Sequence, residues 1–437
     1  MPEIAPFRGV RFNPAAISCV ARVVAPPYDV IDPDLEKELT ERDEHNIVRL
    51  TMGKTPPEGR SDEDYQRAAA LLATWRRDGV LVKDDAPAIY IVEQTFNVGG
   101  EVFVRRGFIA AVKLEEFGQG NVYPHERTMD GPRSDRLRLM QACRGNLSQV
   151  LAMYSDPDGA ADRLVGSLVG GELLYQFRDD GPVDYAVWRV TARGPIGQLA
   201  DLMRERALFI ADGHHRYESA LRYRSLERRG KDAAGPAPQD FIAALCISAA
   251  NPGLKILPTH RCIKRAPTLR KGSIGDALSP HFAVTGARVS AATDLQATFD
   301  QARRGEACVG CYLAGKQLLL LKPVDVAPLR PRFPERADAW WKLPVSMLHY
   351  VILPDLVGIA PGSREESQDV EYRHDATVLR DGVEDGTYAA GFLLPPTDAA
   401  VLEHVASQGE RLPQKSTYFY PKIASGLVLY LHEPGTL

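Results

Sequence analysis

The run Phe209-Ile210-Ala211-Asp212-Gly213-His214-His215-Arg216-Tyr217-Glu218 packs an acid, two imidazoles and a guanidinium into a few residues. The apolar residues 207–211 have strand length, residues 216–228 carry helical spacing at Tyr217, Ala220 and Leu221, and Gly213 between them permits a positive φ or a close backbone approach. A strand running through a tight turn into a helix start builds an anion site. The N–H groups of the first helical turn and the dipole attract phosphate, and His214, His215 and Arg216 add donors, Arg216 as a bidentate fork. Asp212 at the mouth can cap the helix, accept a proton from an attacking hydroxyl, or hold a metal ion. The plain alternative makes Asp212 only an N-cap and the two histidines partly exposed first-turn residues.

A second polar concentration, Tyr123-Pro124-His125-Glu126-Arg127-Thr128-Met129-Asp130-Gly131-Pro132-Arg133-Ser134-Asp135-Arg136, crowds acids, arginines and a histidine into a loop before a helix. Glu126 can serve as general acid/base or Mg²⁺ ligand, and Arg133 and Arg136 can meet phosphates; a solvated loop with surface ion pairs is the competing reading. The third, Arg411-Leu412-Pro413-Gln414-Lys415-Ser416-Thr417-Tyr418-Phe419-Tyr420-Pro421-Lys422, lacks the glycines of a P-loop. It offers Lys415 to a phosphate or carboxylate, or is simply a half-buried strand with polar ends. The histidines have no zinc-protease spacing, Cys308-Val309-Gly310-Cys311 has no second pair, and neither G-x-S-x-G nor G-x-G-x-x-G occurs, so zinc-protease, serine-hydrolase and dinucleotide-fold readings lose support.

The elements that must position these groups interleave throughout. Ser61 caps an expected helix with Asp62, Glu63 and Asp64 in its first turn and Gly79 at its end. Residues 88–96 and 101–112 form an expected hairpin across Gly99-Gly100, and 150–154, 186–190 and 241–247 read as strands. The Pro-rich first 60 residues read as loop and edge structure with little regular helix. Beyond them the expected elements include helices over 294–304, 345–356 and 398–407 and a strand pair over 308–321. The expected class is α+β, with mixed sheets and interleaved helices, in two domains, 1–265 and 266–437, joined by a basic connection over 264–271.

With 437 residues, 53 Lys plus Arg against 57 Asp plus Glu, and a net charge of −4, the chain is long enough to bury two cores and too balanced to be a nucleic-acid coat. Six cysteines are too sparse for a disulfide framework, no cationic leader precedes an apolar core, and no apolar run has membrane-spanning length, so a cytoplasmic protein away from membranes is expected.

Five motifs in order, Pro26-Pro27-Tyr28-Asp29-Val30, His125-Glu126-Arg127-Thr128 with Asp135-Arg136-Leu137, Asp212-Gly213-His214-His215-Arg216-Tyr217-Glu218, Leu257-Pro258-Thr259-His260-Arg261 and Pro413 to Lys422, resemble the bacterial and archaeal family termed domain of unknown function 1015. Over a dozen residues, the Asp212-Gly213-His214-His215-Arg216 turn also resembles the ParB and sulfiredoxin superfamily, which includes free serine kinases. That resemblance implies a ParB/sulfiredoxin-like core in the N-terminal part and nucleotide phosphates at the turn. It casts Asp212 as the base, His214, His215 and Arg216 as the phosphate cradle, and Glu126 as the separate catalytic Glu. The chain has no evident helix-turn-helix and no Cys in the turn, which sets DNA partitioning and sulfinic-acid reduction aside.

The resulting expectation is a phosphotransferase acting on a small hydroxyl metabolite, L-serine and O-phosphoserine being the natural pair, with ATP or ADP and Mg²⁺ as cofactors. The same site can act as a phosphoserine phosphatase or as a non-enzymatic regulator that binds a nucleotide or phosphometabolite. A basic helix over 133–144 as a DNA contact is a further alternative, which predicts affinity falling steeply with salt.

Overall fold

The computed structural model describes residues 2–52, 60–126, 130–229, 235–266, 274–278, 281–289 and 294–437. Arg127, Thr128 and Met129 of the second motif, and most of the expected basic connection over 264–271, lie outside them. Two compact units emerge: Met1–Pro124, Thr128–Lys255 and Phe419–Leu437 form the first, His125–Arg127 and Ile256–Tyr418 the second. The chain thus leaves the first unit after Lys255 and re-enters it at Phe419.

The first unit is built on a mixed sheet that has, among the described residues, nine strands. Its spatial order is Val122–Pro124, Leu208–Asp212, Val150–Tyr154, Phe241–Ser248, Glu101–Lys113, Ile89–Val98, Asp184–Val190 and Glu172–Arg178, with Ile4–Ala5 also pairing to Glu101–Lys113. Every residue of Phe241–Ser248 is buried, as befits a central strand covered on both faces. The long hairpin closes at Val98 and Glu101 through Gly99 and Gly100, whose φ values of 61° and 88° are those of a two-residue turn that follows the strand twist. Helices Asp130–Cys143, Ala160–Ser167, Arg193–Arg204 and His214–Arg228 set Met140, Val165, Leu199 and Tyr217 into the apolar core against Phe108, Ala152 and Ile210.

Helix Asp62–Arg77 starts as its sequence dictates: the Ser61 N–H donates to the Asp64 carboxylate at 3.2 Å, and Tyr65, Ala68, Leu72 and Trp75 form its buried stripe. The expectation of little helix before residue 60 is corrected. Pro33–Arg42 is a ten-residue helix whose N-cap Asp32 accepts the Leu35 N–H at 2.9 Å and whose first residue is Pro33. It buries only Leu39, so it lacks the apolar periodicity by which helices are read.

The second unit holds a sheet of six described strands, antiparallel throughout: Phe282–Arg288, Gln317–Pro323, Val309–Leu313, Ala390–Leu393, His260–Ile263 and Val370–Arg373. Helices Leu295–Arg303 and Ala376–Glu384 pack Phe299, Leu379 and Val383 against its Tyr312 and Leu318. The helical segment expected over 345–356 is a short α-turn, Pro344–Met347, continued by wide π-turns over Leu348–Val357 around Pro354, which has no N–H to give the ladder. The fold class is therefore α+β with mixed and antiparallel sheets and interleaved helices.

Candidate functional site

Asp212 ends a strand whose pairing slips at that point. Leu208–Asp212 pairs with Val150–Tyr154 antiparallel, but its register shifts between Ile210 and Asp212, a bulge that re-aims the last side chain. Gly213 follows at φ 86°, in the left-handed region open to glycine, and helix His214–Arg228 begins at once, with the Tyr217 N–H on the Gly213 carbonyl at 3.0 Å. The N-cap residue is Gly213, which has no side chain to offer the helix start. The Asp212 carboxylate faces cations: Lys422 Nζ lies 3.2 Å from Oδ2 and Arg216 Nη2 3.6 Å from the same oxygen.

Arg216 is itself fixed. Its Nη1 donates to Ser148 Oγ at 3.1 Å and to the Gln149 carbonyl, and its guanidinium folds over Gly213 so closely that a Cβ there would lie 2.7 Å from Nε. On the neighbouring hairpin Arg105, 1% exposed, stands opposite Gln94 in the register, donates from Nε to Gln94 Oε1 at 3.0 Å, and reaches the Pro421 carbonyl through Nη2. Arg105 Nη1 and Arg216 Nε are both buried and have no hydrogen-bond partner among the described residues.

Burial alone would raise the Asp212 carboxyl, but the charges of Lys422, Arg216 and His214 overcome it and hold the group well below the usual carboxylate range. Burial lowers Arg105 to about 10, with the Asp212 charge pulling the other way. Tyr28, pushed up to about 12 chiefly by burial, lies under the Arg136 guanidinium at 4.1 Å and senses both Arg216 and Asp212. Arg136 and Arg60 in turn share Asp135. Along this connected set the cations Arg60, Arg105, Arg136, Arg216 and Lys422 meet the carboxylates Asp135 and Asp212, with Asp29 acting on Tyr28 and Glu36 on Arg60 as well.

The expected residues distribute as follows. Asp212, Gly213, His214, His215 and Arg216 form the turn, with His214 buried and His215 half-buried. Arg136 belongs to the network, but its fork is engaged by Asp135 and by the Thr51 carbonyl at 3.0 Å. Arg133 stands apart, half-exposed, 3.4 Å from Glu218, on the wall of an open cleft of about 830 Å³.

Glu126 and Lys415 belong to the second unit. There Glu126 Oε1 accepts from the Ser416 and Thr417 N–H groups at 3.0 and 3.1 Å and from Thr417 Oγ1 at 2.9 Å, while His125 Nε2 reaches the same hydroxyl at 2.8 Å. This carboxylate thereby holds the segment in which Lys415 adopts φ 56°. Among the described residues no group of three His, Cys, Asp or Glu side chains is arranged to hold a metal ion, and no helix is long and apolar enough to cross a membrane.

Three participants were not singled out as site residues by the sequence reading. Tyr28 lies in the Pro-Pro-Tyr-Asp motif and Lys422 ends the motif from which Lys415 was chosen. Arg105 has a local signal: in Val104-Arg105-Arg106 one of two adjacent strand arginines must face inward.

The family described as Protein of unknown function (DUF1015) matches residues 4–346. The chain belongs to this family. Among solved structures, this DUF1015 member is similar to a conserved hypothetical protein from Pyrococcus furiosus, at 12% identity and TM-score 0.32 over 70% of this chain and 92% of that one. It is also similar to a free serine kinase in complex with AMP, at 12% identity and TM-score 0.33 over 70% and 89%. A third similar structure is SbnI with C-terminal truncation from Staphylococcus aureus, at 9% identity and TM-score 0.35 over 74% and 87%. No curated protein matches the sequence.

Proposed function

We propose that this DUF1015 member is a cytoplasmic phosphotransferase that binds nucleotide phosphate at the Asp212 turn and transfers a phosphoryl group to a small hydroxyl metabolite, with L-serine and O-phosphoserine the first pair to test. One observation carries the reading: an ionised carboxylate lies between Lys422 and Arg216 while two buried guanidinium N–H groups, Arg105 Nη1 and Arg216 Nε, remain unspent. Phosphoryl transfer asks for positioned positive charge and a proton acceptor more than for covalent chemistry.

In the forward direction the substrate hydroxyl oxygen bonds to the terminal phosphorus, the bridging P–O bond to the nucleotide breaks, and the hydroxyl proton passes to Asp212. Lys422, Arg216 and Arg105 balance the phosphoryl oxygens, and the His214–His215 turn supplies the helix start. Mg²⁺ fits as a companion of the nucleotide phosphates and not as a resident of a protein cage, since the turn offers one carboxylate already opposed by two cations. Glu126 takes a positioning role, holding the 415–417 segment through its Oε1.

A second reading, a regulator that binds nucleotide or phosphometabolite without turnover, is favoured by the same ion pairs, because a carboxylate neutralised by two cations is a weak base. Phosphorus NMR with Mg²⁺, ATP or ADP, and L-serine or O-phosphoserine separates them, with Asp212→Asn alongside. New phosphoserine, new nucleotide or free phosphate, lost by roughly 10²–10⁴ in rate in the variant, supports the transferase and gives its direction, free phosphate alone meaning phosphatase action. Unchanged spectra with saturable nucleotide binding support the regulator. Absence of both turnover and binding sinks both readings.

A further inference from the structure

The second unit contains a pocket of about 660 Å³ that phosphoryl transfer at Asp212 does not use. Its walls are largely apolar. Leu343 and Val345 come from the turns after helix Asp338–Trp341, Leu394, Pro395 and Pro396 from the exit of strand Ala390–Leu393, and Val401 from helix Ala399–Ser407. Val401 is 39% exposed, an apolar side chain left open to the pocket space.

The charged groups on the rim resolve almost completely into pairs. Glu306 binds Lys322 at 2.6 Å, Asp338 binds Arg330 at 2.5 Å, and Arg303 binds Asp300 at 2.7 Å. Asp398 is used as a cap, accepting the Ala400 N–H at 2.8 Å, and His404 Nε2 and Gln408 Nε2 meet at 3.2 Å. The Lys342 ammonium, exposed on the rim, has neither a hydrogen-bond nor an ion-pair partner among the described residues. An apolar chamber of this size with one uncommitted cation at its edge is complementary to a ligand with an apolar body and a single negative end.

We infer that this pocket binds a small amphipathic monocarboxylate, its carboxylate on Lys342 and its apolar body against Leu343, Pro396 and Val401. The inference stands independently of the phosphotransferase reading, since every residue it uses belongs to the second unit. Trp340 and Trp341, on the helix that leads into Lys342, give it an intrinsic reporter.

The test uses the full chain, decanoate as ligand and anilinonaphthalene sulfonate as the fluorescent probe. Decanoate should displace the probe from one saturable site and shift the tryptophan emission. Lys342→Glu should weaken decanoate about tenfold or more, the equivalent of one lost charge-assisted contact, and Lys342→Arg should retain it. Val401→Trp, which fills the chamber, should abolish binding, and Asp212→Asn should leave it unchanged. Lys342→Glu alters an exposed side chain and so keeps the test readable if the filled variant does not fold. Absence of a saturable site, unaltered affinity in Lys342→Glu, or equal affinity for decanol would each overturn the inference.

Discussion

Lys422 Nζ lies 3.2 Å from Asp212 Oδ2 although the two residues are 210 positions apart in the chain. The pair is only slightly exposed, at 14% and 15%, so its charges are screened far less than those of a surface bridge. Replacing Lys422 by Met should let the Asp212 carboxyl rise toward its ordinary range and weaken inorganic phosphate or nucleotide binding about tenfold or more. A double-mutant cycle with Asp212→Asn, read by chemical denaturation, should give a coupling of about 1 to 3 kcal/mol. A coupling near zero would mean that the two charges do not sense one another.

Gly213→Ala tests the turn itself. The backbone there has φ 86°, and an added Cβ would meet Arg216 Nε at 2.7 Å and Cζ at 2.9 Å. The left-handed strain alone costs about 1 to 3 kcal/mol, and the displaced guanidinium should release Asp212. Both a lower melting temperature and weaker phosphate binding are expected. Full anion affinity in the folded variant would dissociate Arg216 from the site.

Arg105→Met makes an opposite pair of predictions. A buried cation without a carboxylate of its own is an electrostatic liability, and an apolar side chain of similar length fills its space, so denaturation should show unchanged or raised stability. Anion binding should fall in the same protein. A large loss of stability would show that the Gln94 and Pro421 contacts of Arg105 matter more than its charge.

The pH dependence of stability should carry a histidine signature. Burial, with neighbouring positive charge, lowers His260 and His432 to about 4. Both residues are therefore neutral in the fold where the unfolded chain, with a pKa of about 6.5, already binds protons. Their contribution is complete above about pH 6.5 and is lost as pH falls toward 4, by up to about 3 kcal/mol for each. Denaturation midpoints across that window should decline, and His432→Phe, which keeps a ring against Tyr223, should flatten the slope of the first unit. An unchanged slope in the variant would remove His432 from the account.

Glu126→Ala should cost about 2 to 4 kcal/mol, because three donors on one carboxylate oxygen lose their acceptor, whereas Glu126→Gln should cost less by keeping a carbonyl in place. Thermal melts of the two variants decide this. Equal melting temperatures would show that the loop does not depend on the carboxylate.

What could be read from the sequence was what is local. The strand–Gly213–helix turn, the Gly99–Gly100 hairpin and the helix after Ser61 each state their geometry within a dozen residues. Helix Pro33–Arg42 escaped because a surface helix with one buried residue shows no apolar period, although Asp32–Pro33 announced its start. The bulge before Asp212 escaped because register is a property of two strands, and the pairing of Lys422 with Asp212 because nothing near residue 422 names its partner. The second motif was read as offering Glu126 for acid/base or Mg²⁺ chemistry; that Glu126 Oε1 accepts from two backbone amides and a hydroxyl is information held in residues 416 and 417.

The return of the chain at Phe419 also sets an order of events during synthesis. A ribosome makes about 5 to 20 residues per second, so the Asp212 turn precedes Lys422 by roughly 10 to 40 seconds. Throughout that interval the nascent first unit holds Asp212 without its closest cation. Any product released early, by a premature stop or a protease cut before residue 422, carries the turn with its charge balance unfinished. The pairing of Asp212 with Lys422 is thereby coupled to translation beyond residue 418.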